Sequence, residues 1–198
     1  MGMTNESYRK TDSWAYWTVP AGLSKDASAK ETHTAFHDSY QPGFPATIDK
    51  DELIAKLSQV KYIFVGLNPG NAGPEPELFG NFHGQIRSAD YRLAAAAYGT
   101  GAWGAFMTDL SCEIQSDSKQ IKVTEANVQD LINHLDELGI PETAVLIAMG
   151  TKTFKGLEGK LPASHPLEQM YHYSNANSGH WDAETEHNKI QKIVEKHG

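Results

Sequence analysis

A single cysteine, Cys112, stands in 198 residues. One thiol can neither close an internal disulfide nor supply a cysteine-based zinc cluster. This scarcity fits a reducing compartment, with Cys112 expected in core packing. Long apolar runs are missing too, since nothing approaches the roughly 20 residues that cross a bilayer. The polar opening MGMTNESYRK lacks the apolar centre of a secretory leader. A cytoplasmic location and no membrane partner are therefore expected. Positive charge is also short: 17 Lys and Arg face 25 Asp and Glu, for a formal net charge of -8. That balance excludes a protein that coats nucleic acid by bulk electrostatics and leaves room only for a local basic patch.

Several chemical signatures are absent as well. No Gly-Lys-Ser/Thr follows the glycine-bearing loop GLNPGNAG, that loop does not match the dinucleotide fingerprint, and no Gly-x-Ser-x-Gly elbow marks a hydrolase nucleophile. His165, His172, His180 and His187 have no standard metal-ligand spacing, so neither a metal nor any other cofactor is expected. Internal repeats and low-complexity tracts are missing.

What is present divides in two. Residues 1–46 hold Trp14, Tyr16, Trp17, Phe36, Tyr40 and Phe44 among Pro, Gly and Ser with little periodicity. They read as a loop-rich extension that packs on the main domain to keep its rings dry. Residues 47–198 read as one α/β domain. Asp49 and Glu52 open the helix KDELIAKLSQ, and the run KYIFVGL has the apolar, β-branched character of a strand buried on both faces. Ser88 is the expected N-cap of RSADYRLAAAAYG, and residues 103–110 form a strand. Thr124 starts a helix whose Val128, Leu131, Ile132, Leu135 and Leu138 share one stripe. TAVLIAMG is a strand, TKTFKGL a short helix, EQMYHYS a last strand, and a closing helix begins near Asp182. Alternation of this kind predicts an α/β/α fold on a central, mostly parallel four-stranded sheet. Ligands in such sheets bind beyond the carboxyl ends of the strands, which directs attention to the loops after Leu67, Leu110, Met149 and Tyr173.

The first of these loops, GLNPGNAG, combines close backbone approach at Gly66 and Gly70 with the single amide of Asn68. It can position a water or a carbonyl, or form a turn in which Asn68 caps its own backbone. In ELFGNFHG, Phe79 and Phe82 can stack a planar base or simply anchor the loop, and His83 adds a titratable group. In YHYSNANSGH, His172 and Ser174 fall on one face if the strand continues through them, and Asn175, Asn177 and Ser178 suit a phosphate or sugar. His172 is either a donor to a developing anion or a structural histidine.

Taken together, GLNPG at the end of a buried strand and HYS at the end of the last one resemble the uracil-DNA glycosylase superfamily, and most of all its mismatch-specific and thymine-DNA glycosylase branch. The similarity covers roughly residues 60–195 and implies a uracil-DNA-glycosylase-like fold. It further implies that Asn68 holds the attacking water and that the backbone at Gly66, Leu67 and Gly70 hydrogen-bonds the base. Phe82, with His83 beside it, would stack that base, Phe79 being the competing ring. His172 would stabilise the leaving group, and Ser174 with Asn175 would contact phosphate. Tyr173 stands where the family usually has proline, and only Ala176 or Trp181 follows as an apolar wedge. The expected function is hydrolysis of an N-glycosidic bond by a positioned water, with a nucleic acid or nucleobase-containing ligand as partner. Two other readings stay open: a non-catalytic nucleobase- or nucleotide-binding protein, and a partner-binding protein that uses its aromatic N-terminal segment.

Overall fold

The computed structural model describes residues 11–41, 43–70, 77–84, 86–175 and 179–198. Four strands form the parallel part of the sheet: β2 (Tyr62–Gly66), β3 (Phe106–Asp109), β4 (Val145–Met149) and β5 (Leu167–Met170). A fifth strand, β1 (Ser13–Trp14), joins antiparallel beside β3, so the spatial order is β1-β3-β2-β4-β5. The sheet is thus mixed and five-stranded where four strands were expected, because residues 13 and 14 lie within the segment read as loops.

Alternation along the strands sorts the apolar residues onto two faces. Tyr62, Phe64, Met107, Val145 and Ile147 join one cluster with α1 (Ala29–Asp38), α3 (Tyr91–Ala97) and α6 (Ala183–His197). Ile63, Val65, Phe106, Leu146 and Ala148 join the other with α2 (Lys50–Ala55), α4 (Glu125–Glu137) and α5 (Thr151–Leu157). Helix α4 begins at a capping box between Thr124 and Asn127, and the five apolar residues of its expected stripe are all buried. None of the helices among the described residues is long and apolar enough to cross a membrane.

Further departures from expectation have local causes. Helix α1 lies inside the segment read as loop-rich, held by a capping box between Ser28 and Glu31. Helix α3 starts after Asp90 and not at Ser88, whose hydroxyl instead donates to the Asp90 carboxylate at 2.5 Å. Cys112 is exposed and not in the core. Strand β5 stops at Met170, ahead of His172 and Ser174, because the Tyr171 N–H donates to the buried Glu186 carboxylate at 2.9 Å and leaves the ladder. His172 and Ser174 therefore lie beyond the strand and do not share the face expected of an extended β5.

The N-terminal segment is structural. Trp14, Trp17 and Phe36 are buried, and the Ser13 hydroxyl donates to the Phe79 carbonyl at 2.7 Å. With the Ser13 to Gly80 bridge and the His83 ring on the Trp14 carbonyl at 2.9 Å, it fixes the loop that carries Phe82.

Candidate active site

Connections from β2 run to one side of the sheet through α3, and those from β4 run to the other side through α5. The adjacent carboxyl ends of β2 and β4 therefore form the topological switch point, where an open α/β sheet has its crevice. Gly66, Leu67 and Asn68 leave β2 at this point. His172 arrives from beyond β5, and its Cβ lies 3.5 Å from where a Cβ on Gly150 would stand. Asn68 and His172 are thus placed at the carboxyl ends of two neighbouring strands, β2 and β4.

Asn68 is held by its nitrogen. Its Nδ2 faces the carbonyls of Pro69 (2.9 Å), Glu113 (2.9 Å) and Gln115 (2.6 Å). Three acceptors around one atom identify that atom as the amine, which leaves Oδ1 as an acceptor with no hydrogen bond among the described residues. The loops after β2 and β3 are laced together further by Ser111 N–H on Leu67 O and Gln115 N–H on Pro69 O, both 3.0 Å.

His172 is half-buried by area yet densely surrounded, and this desolvation pushes its pKa down to about 4. The Ser174 N–H donates to its Nδ1 at 3.1 Å, so the proton of the neutral ring sits on Nε2. The ring stacks on Tyr173 with centroids 4.5 Å apart. Tyr173 is buried, and its phenol is driven well above its ordinary range by that burial and then by Asp90, Asp109 and Tyr40.

Gly66 is a close-approach glycine. A Cβ there would lie 2.2 Å from Asp109 Oδ1 and 2.9 Å from the Phe82 ring. Phe82 reaches this place with φ at 68°, a left-handed conformation that costs a non-glycine residue on the order of 1–3 kcal/mol. Phe79 also has positive φ, but its ring is fully buried against Trp14. Of the two competing rings, only Phe82 borders the β2 end. His83 is buried between Trp17 and Phe44, and burial pushes its pKa down to about 4.

Asp109 went unnoticed in the sequence. It ends β3, is 6% exposed, and accepts from Asn81 Nδ2 at 2.9 Å, while Asn81 also donates to the Thr11 carbonyl at 2.7 Å. Burial, opposed by the Asn81 bond and reinforced by the charge of Asp12, pushes its pKa up to about 8. At neutral pH it is thus a carboxylic acid that can both donate and accept beside Gly66 and Phe82. An acidic residue closing an otherwise apolar strand was the available signal.

The remaining expected residues are spread along the rim. Gly70 is exposed, Asn175 Nδ2 donates to the Arg87 carbonyl at 2.9 Å, and Arg92 donates to the carbonyls of Tyr173 (3.1 Å) and Ser174 (3.5 Å). Ala176, Asn177 and Ser178 lie outside the described residues. The other histidines do not converge on the crevice: His165 is buried before β5, His180 stacks on Tyr171, and His187 bonds the Ala96 carbonyl. Comparison with protein-family models and with curated proteins finds no match for this chain.

Proposed function

We propose that this chain is a uracil-DNA-glycosylase-like hydrolase that cleaves an N-glycosidic bond to a nucleobase with a positioned water. The observation that carries the reading is the clamped amide of Asn68, whose nitrogen is consumed by three carbonyls while its oxygen is left to accept. Such a group orients a water without removing its proton in advance. That suits a reaction in which positive charge builds on the sugar and negative charge on the departing base.

Roles for the neighbouring groups follow from their protonation. His172, neutral and with its proton on Nε2, donates to the oxygen where the base's negative charge collects, and it needs no proton from solvent to do so. Phe82 supplies a face for stacking, and the Gly66 and Leu67 backbone lies at its edge. Asp109, as a neutral acid, offers a donor and an acceptor to the base edge. Ser174 and Asn175, beside Arg87, line the route of a phosphate backbone. The test is base release from single- and double-stranded oligonucleotides carrying uracil, hypoxanthine or a G·T mismatch, read as alkali-labile sites on a gel. Asn68→Ala and His172→Ala should each lower the rate about 10²–10³-fold, as loss of a preorganised polar group does. Equal rates in both variants and the wild type would refute the assignment.

The net charge of -8 favours a second reading, a protein of the same fold that binds a nucleobase or nucleotide without cleaving it. It predicts saturable binding of free bases with no abasic product from any strand. Partner binding through the aromatic N-terminal segment is the weakest reading, since Trp14, Trp17 and Phe36 are inside the core.

A further inference from the structure

Tyr173 follows His172 in the chain, yet its ring lies against the imidazole, with centroids 4.5 Å apart and 28° between the planes. Successive residues of an extended segment point their side chains to opposite sides, so this stack needs a turn. The turn is held by Arg92, whose Nη1 donates to the carbonyls of Tyr173 at 3.1 Å and Ser174 at 3.5 Å. It is closed by the Ser174 N–H on His172 Nδ1 at 3.1 Å. Tyr173 itself is anchored, since only 5% of it is exposed and it belongs to the apolar cluster that α3 and α6 share. Gly150, with φ at 96°, leaves the His172 Cβ 3.5 Å from where its own Cβ would stand. His172 is therefore fixed in three ways: by a ring face, by a hydrogen bond at Nδ1, and by close backbone at Cβ. Of these, only the ring face is supplied by a side chain.

We propose that Tyr173 is a positioning residue, whose ring face holds the His172 imidazole in the orientation and tautomer with which it meets the departing base. This rests on the role given to His172 above and adds a residue that acts only through it. The stacked ring excludes water from one face of the imidazole, and burial, not a neighbouring charge, is what pushes the His172 pKa down. Without that face the ring is free to turn away from the Ser174 N–H. Water then reaches both nitrogens, and the other tautomer and the doubly protonated ring become accessible. The Tyr173 hydroxyl makes no hydrogen bond among the described residues, so the ring alone carries the effect.

Two readouts on the full-length protein test the proposal. Tyr173→Phe keeps the ring, and Tyr173→Leu keeps an apolar anchor while removing it. In the first, ¹H–¹⁵N spectra of the histidine rings are followed with pH in the absence of substrate, the His172 signals being assigned by their loss in His172→Ala. Wild type and Tyr173→Phe should show one neutral tautomer, protonated at Nε2, from about pH 8 down to about pH 5. Tyr173→Leu should show mixed tautomers and a midpoint displaced upward by about one pH unit or more. In the second, Tyr173→Leu should lower kcat for base release about tenfold with KM within about twofold, while Tyr173→Phe matches wild type. In a His172→Ala background the same Tyr173→Leu change should alter kcat by less than about twofold, because its effect passes through the imidazole. A His172 tautomer and midpoint unchanged in Tyr173→Leu, or an equal loss of kcat with and without His172, would overturn the proposal. A displaced midpoint or lowered kcat in Tyr173→Phe would overturn it as well, and that variant leaves the packing nearly intact. Should wild type release no base from any strand, the glycosylase reading fails alone, and the spectra still decide whether Tyr173 holds the ring.

Discussion

Replacing Asp109 by asparagine removes one ionisable group and almost nothing else. The carboxyl is 6% exposed and accepts from Asn81 at 2.9 Å, a bond that the asparagine oxygen can also accept. Burial raises its pKa from 3.8 to about 8, so the folded protein holds a proton that the unfolded chain gives up at neutral pH. Linkage then costs the wild type stability as pH rises between those two values, and the loss is complete above about pH 8. Roughly three pH units separate 3.8 from neutrality, and at about 1.4 kcal/mol each they amount to about 4 kcal/mol at pH 7. At pH 5 the cost is about 2 kcal/mol, and above pH 8 it levels off at about 6 kcal/mol. Urea unfolding of wild type and Asp109→Asn at pH 5, 7 and 9 measures this directly. The variant should be the more stable protein, by a margin that grows with pH across that range. A margin that is absent, or independent of pH, would show that Asp109 is ionised in the folded state and would refute its role as a neutral donor to the base.

Gly66→Ala should destabilise the fold by about 1–3 kcal/mol through the overlap at Asp109 and Phe82. Combining it with Asp109→Ala in a double-mutant cycle should recover part of that loss. His83, pushed down to about 4 by burial, is neutral in the fold, while the unfolded chain gains a proton below about pH 6.5. Stability should therefore be complete above pH 6.5 and fall by about 3 kcal/mol as pH drops to 4, with His83→Phe melting less steeply over that range. His134 has the opposite sign. Its bonds to the fully buried Asp12 at 2.9 and 3.0 Å raise its pKa against desolvation, so the pair stabilises the fold below His134's ordinary pKa of 6.5 and weakens as pH rises through the higher folded value. His134→Gln should cost about 3 kcal/mol at pH 6, less at pH 9, measured by urea unfolding, because Asp12 loses its cationic partner. Phe82→Ala should weaken binding of a free base by about 1–3 kcal/mol in calorimetry, the worth of one stacking ring.

Much of the scaffold was legible because it follows local rules. The apolar stripe and Thr124 cap of α4, the Asp49 cap of α2, and the unbroken apolar runs of β2 and β4 each carry their own signal. Helix α1 was legible in principle from Ser28 and Glu31, but the surrounding Gly, Pro and Ser obscured it. Strand β1 was not, since two residues hold no periodicity and pairing with β3 is a tertiary fact. The end of β5 depends on Glu186, fifteen positions further along the chain, which no local pattern contains. The same division runs through the site. Asn68 and the glycines beside it announce themselves in GLNPG, whereas the raised pKa of Asp109 comes first from burial, which only the fold creates, with Asn81 opposing it and Asp12 adding to it.

In the proposed reaction a water oriented by Asn68 attacks the sugar carbon. This step is tested most directly by incubating the protein with a base-bearing duplex in ¹⁸O-labelled water and analysing both products by mass spectrometry. The expected products are a free, unlabelled base and an abasic sugar carrying ¹⁸O at C1′, both lost in Asn68→Ala. Label in the released base, or intact oligonucleotide beside saturable base binding, would contradict it.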